Sequence, residues 1–120
     1  MPEGPSIEMV IVLASVDPDA LAEFWCAALR YRRMDGVEQY AVLVPLEGAT
    51  GAMMLIQGVP EPKQGKNRMH LDLHVPDLAA EVDRLCAMGA QRVGEGAIGE
   101  SIRWVRMLDP EGNEFDLAAL

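Results

Sequence analysis

The chain has 120 residues, half of them apolar and about a quarter charged, with a formal net charge of −9. That length suits one domain with a core of its own, and the composition is that of an ordinary soluble globular chain. The acid excess excludes a basic surface for nucleic-acid phosphates and a polybasic membrane attachment.

In chain order, residues 1–6 carry two prolines and a glycine and are expected to fray. The N-terminus lacks the basic and apolar regions of a secretion signal. No apolar run approaches the ~20 residues of a membrane span. Glu8 to Ser15, rich in Val and Ile, reads as the first strand. Asp17 starts a helix with Pro18 at its first position, where a missing N–H costs nothing. Leu21, Phe24, Trp25, Ala28 and Leu29 recur at helical spacing and give this helix, 18–30, one apolar face. Residues 31–34 and 39–46 read as two strands joined at Asp35–Gly36. Glu47–Gly51 is a turn and Ala52–Gln57 a fourth strand.

Residues 59–68, VPEPKQGKNR, form a linker. Met69 to Val75 reads as the next strand. Asp77 caps a helix, 77–88, whose Leu78, Val82, Leu85 and Cys86 face inward, with Gly89 as its stop. Residues 91–95 read as a short strand. Ser101–Leu108 and Glu114–Ala118 form a hairpin around the Asp109–Asn113 turn, whose glycine makes positive φ cheap. Cys26 and Cys86 are not spaced as zinc ligands. They read as buried free thiols in a reducing, cytoplasmic setting.

This order is one pattern written twice. VIVLASVDPDALAEFWCAAL from Val10 and HLDLHVPDLAAEVDRLCAMG from His70 match at an offset of 60, half the chain. Asp17 falls on Asp77, Ala20 on Ala80, Cys26 on Cys86 and Ala27 on Ala87. Each copy is a strand, an Asp-led turn, a helix and three further strands. The expected fold is therefore α+β, with two tandem βαβββ modules over about 7–58 and 69–120. They would form a curved eight-stranded mixed sheet around a shared cavity, helices outside, as a single domain over 1–120.

Strand parity selects the side chains that face away from the helices. In MHLDLHV, Met69, Leu71, Leu73 and Val75 belong under the helix, leaving His70, Asp72 and His74 on the other face. In NEFDLAA, Phe115 and Leu117 are the helix-side pair, so Glu114 and Asp116 point away. A five-residue turn at 109–113 sets Leu108 opposite Glu114, Arg106 opposite Asp116 and Trp104 opposite Ala118. Two histidines, three carboxylates, Arg106 and Trp104 then share one surface. Two histidines four residues apart on a strand lie about 13 Å apart, so His70 and His74 do not both hold one ion. The bland alternatives are a cross-strand Arg106–Asp116 ion pair, a core Trp104 and core methionines at 53, 54, 69 and 107.

The repeated module, the HLDLHVPDLAAEVDRLCAMGA segment and the closing DPEGNEFDL resemble the vicinal oxygen chelate superfamily. It includes glyoxalase I, extradiol dioxygenases and the fosfomycin and bleomycin resistance proteins. DPDALAEFW, VPEPKQGKNRMHLDLHV and DPEGNEFDL are most similar to its glyoxalase-like subgroup. The resemblance spans residues 8–118. It implies a homodimer and a small-molecule ligand. It also implies a divalent metal held from the first and last strands of both modules. The second-module ligands fall on His70 and Asp116. The first-module places fall on Val10, which cannot bind metal, and near Gln57, a neutral donor.

Two functions follow as expectations. One is a glyoxalase-like lyase, isomerase or dioxygenase with a degenerate metal site. There His70 and Asp116, with Gln57 as a doubtful third donor, hold Zn, Ni, Fe or Mn, and Glu114 or Asp72 moves the proton. The metal is then weakly held or absent. The other is a metal-free ligand-sequestering protein like those of bleomycin resistance. In both, His70, His74, Trp104, Arg106, Gln57 and Arg68 are the expected ligand-binding residues.

Overall fold

The computed structural model describes residues 4–34 and 38–119. Residues 1–3, where fraying is expected, and the strand junction at Asp35–Gly36 lie outside the described residues. Two compact units, Met1–Pro60 and Glu61–Leu120, hold one module each. The first runs β1 (Val10–Ser15), α1 (Pro18–Leu29), β2 (Tyr31–Met34), β3 (Tyr40–Pro45) and β4 (Met53–Gly58). The second repeats the order: β5 (Leu71–Val75), α2 (Leu78–Ala87), β6 (Gln91–Ile98), β7 (Ile102–Leu108) and β8 (Glu114–Ala119). The eight strands form two four-stranded mixed sheets of like topology, β1-β4-β3-β2 and β5-β8-β7-β6. In each, the first and last strands of the module pair in parallel and the others pair antiparallel.

The duplication extends to the helix caps. Asp17 accepts the Ala20 N–H at 3.3 Å and Asp77 the Ala80 N–H at 3.1 Å. Each carboxylate thus satisfies a donor that the first helical turn leaves unpaired. The two helices stop differently. The first closes on Arg30 at φ 56, the second on Met88 followed by Gly89 at φ 105.

Each core lies between one helix and one face of its sheet. In the first unit Leu21, Ala22, Phe24, Trp25 and Ala28 of α1 pack against strands carrying Ala41, Leu43, Met54 and Ile56, all buried. In the second, Val82 and Leu85 of α2 belong with buried Val105, Met107, Phe115 and Leu117. Burying such side chains contributes roughly 1.5–3 kcal/mol each. It fixes strand register, because a one-residue slip would turn every apolar side chain outward.

Several expectations need correction. Leu71 and Leu73 are only half-buried, because β5 is an edge strand and α2 lies over β8 and β6. Met69 precedes the strand and is 87% exposed. Strand β6 continues to Ile98 rather than ending at 95. Both cysteines are free, but Cys86 is exposed and Cys26 half-buried. Cys86 lies one residue past buried Leu85, about 100° round the helix, and so leaves the apolar face. Burial raises the Cys26 thiol pKa, against a smaller lowering by Arg33. Among the described residues no helix is long and apolar enough to cross a membrane.

Candidate functional site

The helix-free face of the second sheet is built in rows. Hairpin register pairs Trp104 with Ala118, Arg106 with Asp116 and Leu108 with Glu114, as the length of the turn predicts. The parallel β5–β8 ladder sets Asp72 beside Asp116 and His74 beside Ala118. On the far side, Gly94 pairs with Arg106 and Gly96 with Trp104. One row thus reads Gly94, Arg106, Asp116, Asp72, and the next Gly96, Trp104, Ala118, His74. His70 stands one residue before β5 and reaches over the first row.

Asp116 is the centre of that row. Its side chain is 8% exposed. The Arg106 guanidinium donates to it twice, from Nε to Oδ1 and from a terminal nitrogen to Oδ2, the latter at 3.3 Å. That bond to Asp116 raises the Arg106 pKa further. A two-pronged pair of this kind fixes the plane of the carboxylate as well as its charge. His70 Nε2 lies 3.3 Å from Asp116 Oδ2 and 3.2 Å from Asp72 Oδ1.

One donor atom each from His70, Asp72 and Asp116 lies within 4.8 Å of the others. A tetrahedral ion with ligand bonds of ~2.0–2.1 Å has edges of roughly 3.3–3.4 Å. The two imidazole–carboxylate separations are close to such edges. Imidazole and carboxylate donors suit zinc, nickel, iron and manganese. Arg106, donating to Asp116 Oδ1, takes the place of an outer partner that orients a metal ligand. The residues present therefore fit a divalent cation. Asp72, which parity places on this face and whose expected role is to move a proton, is the third residue of this cluster.

Glu114 shares the face but is engaged elsewhere. Its Oε1 accepts from Lys63 Nζ at 3.1 Å and its Oε2 from the Asn67 N–H at 2.8 Å. Burial, the largest single influence, pushes its pKa up, but the hydrogen bonds from Asn67, Lys63 and its own backbone N–H, with the Lys63 charge, together bring it below the usual value. Next to it, Asn113 Oδ1 accepts from Asn67 Nδ2 at 3.3 Å. Asn113 is itself locked to buried Asp109, whose carboxylate also accepts the Glu111 and Asn113 N–H groups, both at 2.9 Å. Nothing in the sequence places Lys63, Asn67 and Asn113 beside Glu114, because a linker and a turn carry no periodicity.

The remaining candidates are dispersed. Trp104 is half-buried, with its indole over Gly96: a Cβ there would meet Trp104 Cζ2 at 2.3 Å. His74 is exposed on its edge strand and Arg68 is exposed in the linker. In the first sheet, Val10 pairs with Met53, and Gln57 lies between Ala14 and Tyr40. The equivalent face there carries Val10, Val12 and Leu55 where the second module carries its charged row.

The model of a glyoxalase-like domain matches residues 10–118. No curated protein sequence matches the chain. Among solved structures, a glyoxalase/bleomycin resistance protein/dioxygenase family enzyme from Burkholderia phytofirmans PsJN superposes with a TM-score of 0.77. It is 13% identical and covers 92% of this chain and 95% of its own. The fosfomycin resistance protein FosX of Listeria monocytogenes gives 0.76 at 16% identity, covering 100% and 95%. A lactoylglutathione lyase from Agrobacterium tumefaciens gives 0.67 at 17%, covering 98% and 96%. These likenesses, too distant to carry an activity across, establish the fold. The family match runs from the first residue of β1 into β8 and takes in all three donors, so this chain belongs to the glyoxalase-like domain family, within the vicinal oxygen chelate superfamily.

Proposed function

We propose that the chain binds a small molecule on the helix-free face of the second sheet, over a divalent cation held by His70, Asp72 and Asp116. The observation that carries this reading is the convergence of three donor atoms within 4.8 Å. Two carboxylates against one guanidinium leave the row net negative, which favours a cation. A bound ion of this kind supplies Lewis-acid polarisation of a carbonyl or of two neighbouring oxygens, chemistry that serves lyases, isomerases and dioxygenases. Arg106 keeps Asp116 in plane, and Trp104 offers an aromatic surface to the ligand. His74 and Arg68, both exposed, are available to its polar groups. Free thiols suit a reducing cytoplasm. Exposed Ile7, Met9 and Val12 on and before edge strand β1 support a homodimer, which light scattering would test.

The deciding experiment titrates Zn, Ni, Fe and Mn, each as the divalent ion, into chelator-treated protein by calorimetry. One site per chain is expected, lost in His70→Ala and Asp116→Ala. Heats no different between wild type and these variants would overturn the reading.

A second reading is favoured by Arg106. Its two-pronged hold on Asp116 already neutralises that carboxylate, and Val10 offers no donor. The chain would then be a metal-free ligand-sequestering protein in which Asp72 hydrogen-bonds the ligand. Ligand affinity unchanged by chelator would select it.

A further inference from the structure

We propose that Glu114 is a positioning residue, which clamps Lys63 and Asn67 to β8 and so holds His70 over Asp72 and Asp116. This deepens the reading above and rests on His70 being a working group of that site. The need for a clamp is structural. His70 precedes β5, whose first ladder pair is Leu71 with Phe115, so the sheet does not fix its backbone. Met69 beside it is 87% exposed, so core packing does not anchor it either. The approach is held three residues earlier. Both Glu114 oxygens grip it, one through the Asn67 N–H at 2.8 Å and one through Lys63 Nζ at 3.1 Å.

The grip has a rigid base. Asn67 Nδ2 also donates to Asn113 Oδ1 at 3.3 Å. Asn113 and Asp109 are 6% and 3% exposed and hold one another through the Asn113 side-chain amide and N–H. Lys63 Nζ additionally donates to the Gly65 carbonyl, drawing the 63–65 turn shut. Glu114 lies two residues before Asp116 on the same face of β8, so one strand sets both the carboxylate and the imidazole that meets it. A geometry shared in this way is what an imidazole and a carboxylate need to converge on one ligand atom.

The test uses the full-length chain and two measurements. The first needs no metal: hydrogen exchange at the Asn67 amide, and nuclear Overhauser contacts from the His70 ring to Asp72 and Asp116 protons. In Glu114→Ala, Asn67 exchange should accelerate and the His70 contacts disappear. In Glu114→Gln the amide oxygen still accepts from Asn67, so both should survive although the charge is gone. The second is cobalt(II) affinity, expected to fall about tenfold or more in Glu114→Ala, the usual cost of removing an outer partner, and to stay close to wild type in Glu114→Gln. Wild-type protein that binds no cobalt defeats the metal reading alone, and the resonance contacts still decide the clamp. Unchanged His70 contacts in Glu114→Ala would overturn the proposal. So would Glu114→Gln behaving like Glu114→Ala, since Glu114 would then act through its charge. If Glu114→Ala does not fold, Asn67→Pro removes the donor and leaves the carboxylate. Loss of the His70 contacts there supports the clamp and their retention refutes it.

Discussion

Asp72 and Asp116 are direct partners in the parallel β5–β8 ladder, two carboxylates on one face of adjacent strands. Like charges set opposite one another destabilise a sheet by roughly 0.2–1 kcal/mol. Arg106 relieves Asp116, whereas Asp72 has a half-exposed side chain and His70 at 3.2 Å. The arrangement costs stability in the free protein, and a cation placed between the two carboxylates would recover it.

A first prediction concerns Asp72. Asp72→Asn removes the repulsion and one donor together. Without added metal at neutral pH, its melting temperature should equal or slightly exceed that of the wild type. With zinc in excess, wild type should be stabilised, as any ligand of the native state stabilises it, while Asp72→Asn should respond much less. Thermal melts with and without zinc check both halves. An Asn variant less stable than wild type in chelator would show that Asp72 is structural.

Arg106 gives a second prediction. Replacing it with Ala leaves the Asp116 carboxylate buried without its counter-charge. Removing one partner of a buried pair costs about 3–5 kcal/mol. Because Arg106 is 29% exposed, a loss of about 2–3 kcal/mol is expected, read from urea unfolding. Zinc or manganese should then rescue Arg106→Ala by more than it stabilises wild type, because the ion takes over the charge that Arg106 supplied. Equal stabilisation of both would mean that cation and guanidinium do not share Asp116.

Much of this was legible in the sequence, for identifiable reasons. The 60-residue offset between Asp17 and Asp77 marked equivalent helix caps, and both accept the N–H three residues on. Period-two alternation in NEFDLAA separated Phe115 and Leu117 from Asp116, and the turn length set Arg106 opposite Asp116. The legible part ended where the pattern ended. Gly94 and Gly96 leave β6 without an alternating apolar signal, so the sequence predicts a strand that ends at 95 where the ladder runs on to Ile98. Met69 followed the alternation of MHLDLHV but lies before the strand that would have turned it inward. Parity could place Asp72 on the site face but not fix its 3.2 Å separation from His70. The hold of Glu114 on Asn67 joins β8 to a segment with no repeat at all.

The last prediction uses Gly96 to ask whether Trp104 serves the ligand. In Gly96→Ala the new methyl group would stand 2.3 Å from Trp104 Cζ2, well inside contact distance, and 2.5 Å from Cε2. The indole must swing off β6, because the clash is with its ring and not with a flexible chain end. Overpacking of this kind costs about 1–3 kcal/mol. The other tryptophan, Trp25, is 2% exposed in the first unit and should not respond. A change in emission and in acrylamide quenching therefore reports Trp104 alone. Cobalt affinity should be retained, since His70, Asp72 and Asp116 sit one row away. Affinity for an aromatic ligand should fall if the ring's position matters to binding. Retained affinity for such a ligand together with altered emission would remove Trp104 from the site and return it to the role of a packing residue.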